Sequence, residues 1–542
     1  MDFFKGIRNI NIFKNHIFRD PLCDWFEIQS YKYNTFQKDP PTKYKEFIIN
    51  ETNKFRKKIM DYICHQLGVP CEYPQLTVSE TEMCIQNKES LILNGSLYNK
   101  EYRVIVPCDI MIDYETFQGI FPNIQNLPEI SLKSYLVINI SYSSLHFRKN
   151  QQEIMNDELL YYKKCCLYCF QDCLKQYIQT PIHTCIIGKE YYYQKQLLPK
   201  HTNIGYVLVT EEMKQSIQKA VIWIQTLIKY HDSMNIYPEP THNELFPNMN
   251  YKDSEWETEK KRLAYLLREI TLIWNISYNQ RCELLEKDIS SWDDPKLLSY
   301  LKETTKKHIQ ERMIHMNQQN EVIIYPRKSI SYLFKKSLEK KTNEYFFDVE
   351  SFLSFEEKQD FIDHRLYSVG PVLGILGVFN NDKYKDFTIS SYDRDSERKI
   401  IHDWYSYIFH ERDTVYLYHW GNAEKVYLDY IRRVCPELCF EKVHLINVLD
   451  YFRKEPILIQ GIFSFSLKQI GKVLYKHGLI QTIWTEHDNG LDTMIEFKEL
   501  CSQHKKQIPF KRISEVQKII DYNRVDCQVL YEIVEFLRSR YV

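Results

Sequence analysis

The sequence predicts an α/β protein in three parts: an N-terminal α/β domain over residues 1–205, a helical middle segment over 206–340 and a C-terminal α/β domain over 341–542. Three observations predict it. Short β-rich runs broken by Asn-Gly and polar turns fill residues 80 to 145. Residues 210 to 315 carry apolar side chains at helical spacing. From residue 342 onward, strand-like and helix-like stretches alternate, which argues a sheet flanked by helices.

Taken in order, FIINETNKFRKKIMDYICHQLG reads as a helix that stops at Gly68 before Pro70. VPCDIMID and SYLVINISYSSLHF read as strands, a helix follows over about 155–175, and HTCIIGKEYYYQ returns to a strand. KQSIQKAVIWIQTLIKYH and WETEKKRLAYLLREITLIW are the clearest middle helices, separated by a loop rich in Pro and Asn. A linker is expected near 318–340. The segment 296–341 has 11 Lys/Arg against 4 Asp/Glu, either a solvated helical face or a track for backbone phosphates. In the last part, YFFDVE, GPVLGILGVF, YKDFTIS and TVYLYHW are strand candidates. SERKIIHDWYSYIF, NAEKVYLDYIRRV, SLKQIGKVLY and a long terminal stretch from about Ile513 to Arg540 are helix candidates.

Composition narrows the function classes. The chain has 71 basic and 72 acidic residues, so any polyanion site must come from local clustering. Hydrophobic residues make up 44 % and charged ones 26 %, an ordinary globular balance. With 14 glycines in 542 residues, collagen-like and glycine-rich linker architectures are excluded. No run approaches the roughly 18 apolar residues of a membrane span. The opening MDFFKGIRNINIFKNH is interrupted by charge and carries no signal-peptide core, so the chain is expected to be intracellular and not secreted.

The odd count of 15 cysteines fits free thiols in a reducing compartment. Cys166-x2-Cys169 has zinc-like spacing, but on a helix Cys165, Cys169 and Cys173 share one face, which favours buried core thiols. Cys435 and Cys439 are read the same way.

The chemistry is concentrated in acids of the last part. Asp348 and Glu350 are two apart on a strand, hence on one face. Glu424 follows a strand and a Gly-Asn turn at the mouth of the sheet, where strand ends form crevices; it also suits a helix N-terminus. Tyr522 and Asp526 are four apart on the terminal helix. Phosphodiester hydrolysis uses two hard cations about 4 Å apart. Mg²⁺ and Mn²⁺ prefer carboxylate oxygen, and a tyrosine hydroxyl can orient the attacking water. Lys505, Lys506, Lys511 and Arg512, just before the terminal helix, either contact substrate phosphates or lie in a solvated loop.

These motifs resemble the tyrosine-containing branch of the DEDD 3′–5′ exonucleases on a ribonuclease H-like fold, in its YprB-type form. The resemblance covers about 343–540. It rests on His419 to Glu424, on Ser466-Leu467-Lys468 and on Tyr522-Asn523 to Asp526. It implies Asp348, Glu350, Glu424 and Asp526 as ligands of two Mg²⁺ or Mn²⁺ ions and Tyr522 as the water-positioning group. Glu424 takes a slot that is Asp in most of the superfamily.

VPCDIMID followed by YLVINIS resembles the core hairpin of RecB-like PD-(D/E)xK nucleases. Asp109 fits the first motif acid. The second motif reads Asn139-Ile140-Ser141, a neutral pair where an acid and a lysine belong, and the downstream helix has Cys166 and Tyr168 without the usual Gln. PTHNELFPNMNYKDSEW and the stretch through DISSWDDP resemble the segment joining RecB-like and YprB-type domains, including homologues in large DNA viruses. The resemblance implies a degenerate, inactive first nuclease and an active second one working on single-stranded DNA or RNA, with no membrane partner. It implies the cytoplasm or, in a virus, the viral factory or virion. The alternative is a catalytically decayed nucleic-acid-binding or scaffold protein.

Overall fold

Residues 91–113 form a hairpin because two apolar runs flank a polar tetrapeptide. Strand β1 (Leu91–Asn99) pairs antiparallel with β2 (Val104–Asp113), and Arg103 takes a left-handed φ of 54° just before β2. In the computed structural model the described residues are 8–251, 255–319, 324–352, 372–391, 393–409, 414–485, 490–503 and 510–542.

The hairpin extends to β3 (Tyr135–His146), antiparallel to β2, and β3 pairs parallel with β4 (Ile182–Tyr193). A parallel pair needs a crossover. Helix α2 (Glu158–Leu174) supplies it, while α1 (Lys43–Leu67) precedes the hairpin. Short strands at Arg8–Asn9, Gln196–Leu198 and Gly205–Val207 complete a seven-stranded mixed sheet. Cys165, Cys169 and Cys173 lie in the core along the buried face of α2 and are free thiols, as their spacing predicts.

The chain divides into two compact units between Leu267 and Arg268. The helical segment 206–340 is therefore not a third unit. Its residues through Leu267, including Glu211–Tyr230 and Glu257–Leu266, belong to the first unit, and those from Arg268 belong to the second. The second middle helix also stops earlier than its apolar pattern suggests. Leu267 caps it, Arg268 adopts a φ of 53°, and Glu269 bridges to Ser291. The expected linker contains a strand at Ile324–Tyr325 and a helix at Tyr332–Leu338.

The second unit is built on a five-stranded sheet. Strand β5 (Glu344–Phe352) is central, between β6 (Val372–Asn380) and β8 (Val415–His419). β7 (Lys383–Thr388) and β9 (Val443–Asn447) form the edges. Pairing is antiparallel from β5 to β6 to β7 and parallel from β5 to β8 to β9. Helices α3 (Arg394–Ile408), α4 (Ala423–Val434), α5 (Leu467–Lys476) and α6 (Ser514–Tyr541) flank it. A buried pair ties α6 to the start of β5. The Arg538 guanidinium donates to both carboxylate oxygens of Glu344, at 2.8 and 2.6 Å, and to the Leu338 carbonyl. Among the described residues no helix is long and apolar enough to cross a membrane.

Candidate metal centre

Strand periodicity places Asp348 and Glu350 on one face of β5. Helix α6 crosses that face and brings Asp526. One carboxylate oxygen from each of the three lies within 4.8 Å of the others. Three like charges this close, partly removed from water, resist ionisation. Desolvation first, then Asp526, Glu350 and Glu424, drives the Asp348 carboxyl far above its ordinary range. Glu350 is pushed up to about 8, chiefly by desolvation and then by Asp526, against a hydrogen bond from Asn523 and the charge of Lys468. An all-oxygen, mutually repelling donor set of this kind fits a hard divalent cation.

Neighbouring side chains fix the geometry. Asn523 Nδ2 donates to Asp348 Oδ2 at 2.7 Å, and the Tyr384 hydroxyl donates to Asn523 Oδ1 at 2.8 Å. Gly377, paired with Asp348 across the sheet, makes room for this: a Cβ there would lie 1.6 Å from Asn523 Oδ1. The buried Trp484 donates Nε1–H to Asp526 Oδ1 at 2.7 Å. Its ring packs over Gly471, where a Cβ would come within 2.8 Å.

Glu424 stands outside the triad, near enough for its charge to act on Asp348. It is the second residue of α4 and is buried. Its Oε2 lies 3.4 Å from His419 Nδ1, and neither atom has a hydrogen-bond partner among the described residues. A buried, unsatisfied carboxylate oxygen beside an acidic triad has the character of a ligand position. Tyr522 lies one turn before Asp526 on α6, with Lys468 Nζ 4.8 Å from its ring centre.

All four predicted carboxylates and Tyr522 thus belong to one region of the second unit, three of the acids in direct proximity. The basic group fares differently. Lys511 pairs with Asp386 at 2.5 Å, and Arg512 is exposed. Lys505 and Lys506 lie outside the described residues. Asn523, Trp484 and Gly377 were missed as site residues. Asn523 was visible inside the Tyr-Asn-x-x-Asp motif, but nothing local in the sequence joins Trp484 or Gly377 to an acid far along the chain.

The first unit holds a different arrangement. Asp109 Oδ2 accepts from the Ile140 amide at 2.6 Å, and its Oδ1 is held by the Arg56 guanidinium. Lys163 Nζ donates to the Ile140 carbonyl at 2.6 Å, and burial lowers its pKa. Asn139 and Ser141 are both buried; the Ser141 hydroxyl donates to Ser143 Oγ at 3.1 Å. A cavity of about 630 Å³ is lined by Arg56, Asp109, Asn139 and Lys163. Asp109 has a cationic side chain as counter-charge, and the two second-motif residues offer no acid, so this set does not fit a divalent ion. Comparison with protein families, curated proteins and solved structures gave no match to the chain.

Proposed function

We propose that the second unit is a two-metal-dependent 3′–5′ exonuclease that hydrolyses phosphodiester bonds of single-stranded nucleic acid. The observation that carries this reading is the convergence of Asp348, Glu350 and Asp526 within 4.8 Å, from a central strand and a terminal helix. The sheet order β7-β6-β5-β8-β9, antiparallel on one side of β5 and parallel on the other, supports the ribonuclease H-like expectation.

In this reading Asp348, Glu350, Asp526 and Glu424 would be the ligands of two Mg²⁺ or Mn²⁺ ions. Bound there, such ions would supply Lewis-acid chemistry to a scissile phosphate. The chain does the rest. Asn523 and Trp484 each take one carboxylate oxygen and so aim the other at the ion. The Tyr522 hydroxyl orients the attacking water. Lys468 brings positive charge to the rim, where it attracts the phosphate backbone.

We assign the first unit a non-catalytic role in binding or scaffolding, supported by the Arg56–Asp109 pair. The test is incubation of end-labelled single-stranded DNA or RNA with Mn²⁺. A ladder shortening from the 3′ end, abolished by Asp348→Ala, is expected. Binding without degradation would instead leave the whole chain as a scaffold built from nuclease folds.

A further inference from the structure

A second group of ligand-type side chains lies away from the acidic triad and has a different chemistry. His402 on α3, Cys435 at the end of α4 and Glu437 just beyond it each present one donor atom, all within 4.8 Å of one another. His402 Nε2 and Glu437 Oε1 are 2.9 Å apart. The thiol belongs to a fully buried residue, whereas His402 and Glu437 are about half exposed, so the group has a closed floor and an open top.

The backbone around it is held on both sides. Arg398, His402 and Tyr405 lie on one face of α3. Arg398 donates to the Val434 carbonyl at 2.7 Å and Tyr405 to the Cys439 carbonyl at 2.8 Å. The His402 side chain is therefore flanked by two anchors that fix the 434–439 segment against its helix. Within that segment the Cys435 amide donates to the Ile431 carbonyl, and the Leu438 amide donates to the Cys435 carbonyl at 3.1 Å, closing a tight turn. Pro436 fixes φ between the two potential ligands. Cys435 and Glu437 are thus presented from a rigid turn rather than a loose loop.

We propose that His402, Cys435 and Glu437 form a site for a borderline transition-metal ion, Zn²⁺ above all, distinct from the hard-cation centre at Asp348. Imidazole, thiolate and carboxylate are the usual ligands of zinc, and tetrahedral bonds of about 2.0–2.3 Å bring such donors to roughly 3.5 Å from one another. Here His402 Nε2 and Glu437 Oε1 are 2.9 Å apart and all three donors lie within 4.8 Å of one another, a range that spans the zinc value. Binding replaces the thiol proton, which leaves to solvent, and breaks the His402–Glu437 contact. The fourth vertex opens to solvent and takes water. The ion would clamp the end of α4 to α3. This reading does not depend on the exonuclease proposal, because the two centres share no residue.

The test uses the full chain, stripped with chelator and titrated with Co²⁺ as a spectroscopic stand-in for zinc. A cobalt–thiolate charge-transfer band saturating at one ion per chain is expected, together with a rise in melting temperature on adding Zn²⁺. The band should vanish in Cys435→Ser and in His402→Ala, and persist in Cys439→Ser and in Asp526→Asn. The half-exposed His402 keeps the test decisive even if Cys435→Ser fails to fold. Absence of the band in the wild-type chain, or an unchanged band in His402→Ala, overturns the proposal. Loss of the band in Asp526→Asn also overturns it, because the thiolate signal would then come from Cys527, the buried thiol beside the acidic triad.

Discussion

Asn523 Nδ2 reaches Asp348 Oδ2 at 2.7 Å through the space left by the missing side chain of Gly377. Sheet, helix and a carboxylate of the acidic triad therefore meet at one contact. Gly377→Ala is expected to expel Asn523, because a methyl group at 1.6 Å from its Oδ1 cannot coexist with it. Overpacking of this kind costs about 1–3 kcal/mol. Chemical denaturation should show that loss, and exonuclease activity should fall with it. An active, equally stable Gly377→Ala protein would show that Asn523 does not support the centre.

The acidic triad links metal binding to stability. Glu350 is raised from an ordinary 4.5 to about 8 in the folded chain. The folded state then holds a proton that the unfolded state has released, so stability should fall as pH rises from about 4.5 to 8. Mn²⁺ replaces that proton and should cancel the fall. The measurement is the melting temperature at pH 6 and pH 8, with chelator and with Mn²⁺. Asp24 in the first unit, also raised to about 8 by burial, contributes a similar pH dependence that Mn²⁺ does not touch. The informative quantity is therefore the difference between the two metal conditions.

Arg538 and Glu344 form a buried pair that joins the helix carrying Asp526 to the strand carrying Asp348. Removing one partner of such a pair costs about 3–5 kcal/mol. Arg538→Ala should lower stability by that order in urea unfolding. Loss of less than about 1 kcal/mol would mean that Glu344 is readily solvated in the variant.

Activity should not depend on the first unit's acid. Asp109→Asn is expected to leave exonuclease rates unchanged, whereas Asp348→Ala abolishes them. Restoring the motif with Asn139→Asp and Ser141→Lys should not be needed for any activity. Cleavage that appears only in that double variant would reverse the assignment of the two units.

Much of the second unit was legible because its signals are local. The aromatics before Asp348 mark β5, the two-residue spacing puts Asp348 and Glu350 on one face, and four-residue spacing puts Tyr522 and Asp526 on one face of α6. The edge strand Val443–Asn447 escaped notice because its residues are only partly buried and carry no strong alternation. The early end of the helix at Leu266 escaped because its apolar pattern continues into a 3₁₀ turn at Ile270–Leu272, whose side chains are buried for another reason. Cys439, grouped with Cys435 as a core thiol, is exposed, while Cys435 is buried. Spacing alone cannot tell the last turn of a helix from the loop beyond it. Trp484, Gly377 and Arg56 act on acids distant in sequence, and no single-chain periodicity encodes such pairings.

Arg56 sits against Asp109 as a cation on a tether, not lost to dilution. A mobile ion must compete with a guanidinium held at high effective concentration. For a divalent ion to sit in that pocket, the guanidinium would have to go before a new acid at position 139 conferred any advantage. The order of those two steps, more than their number, sets how a metal could enter that pocket.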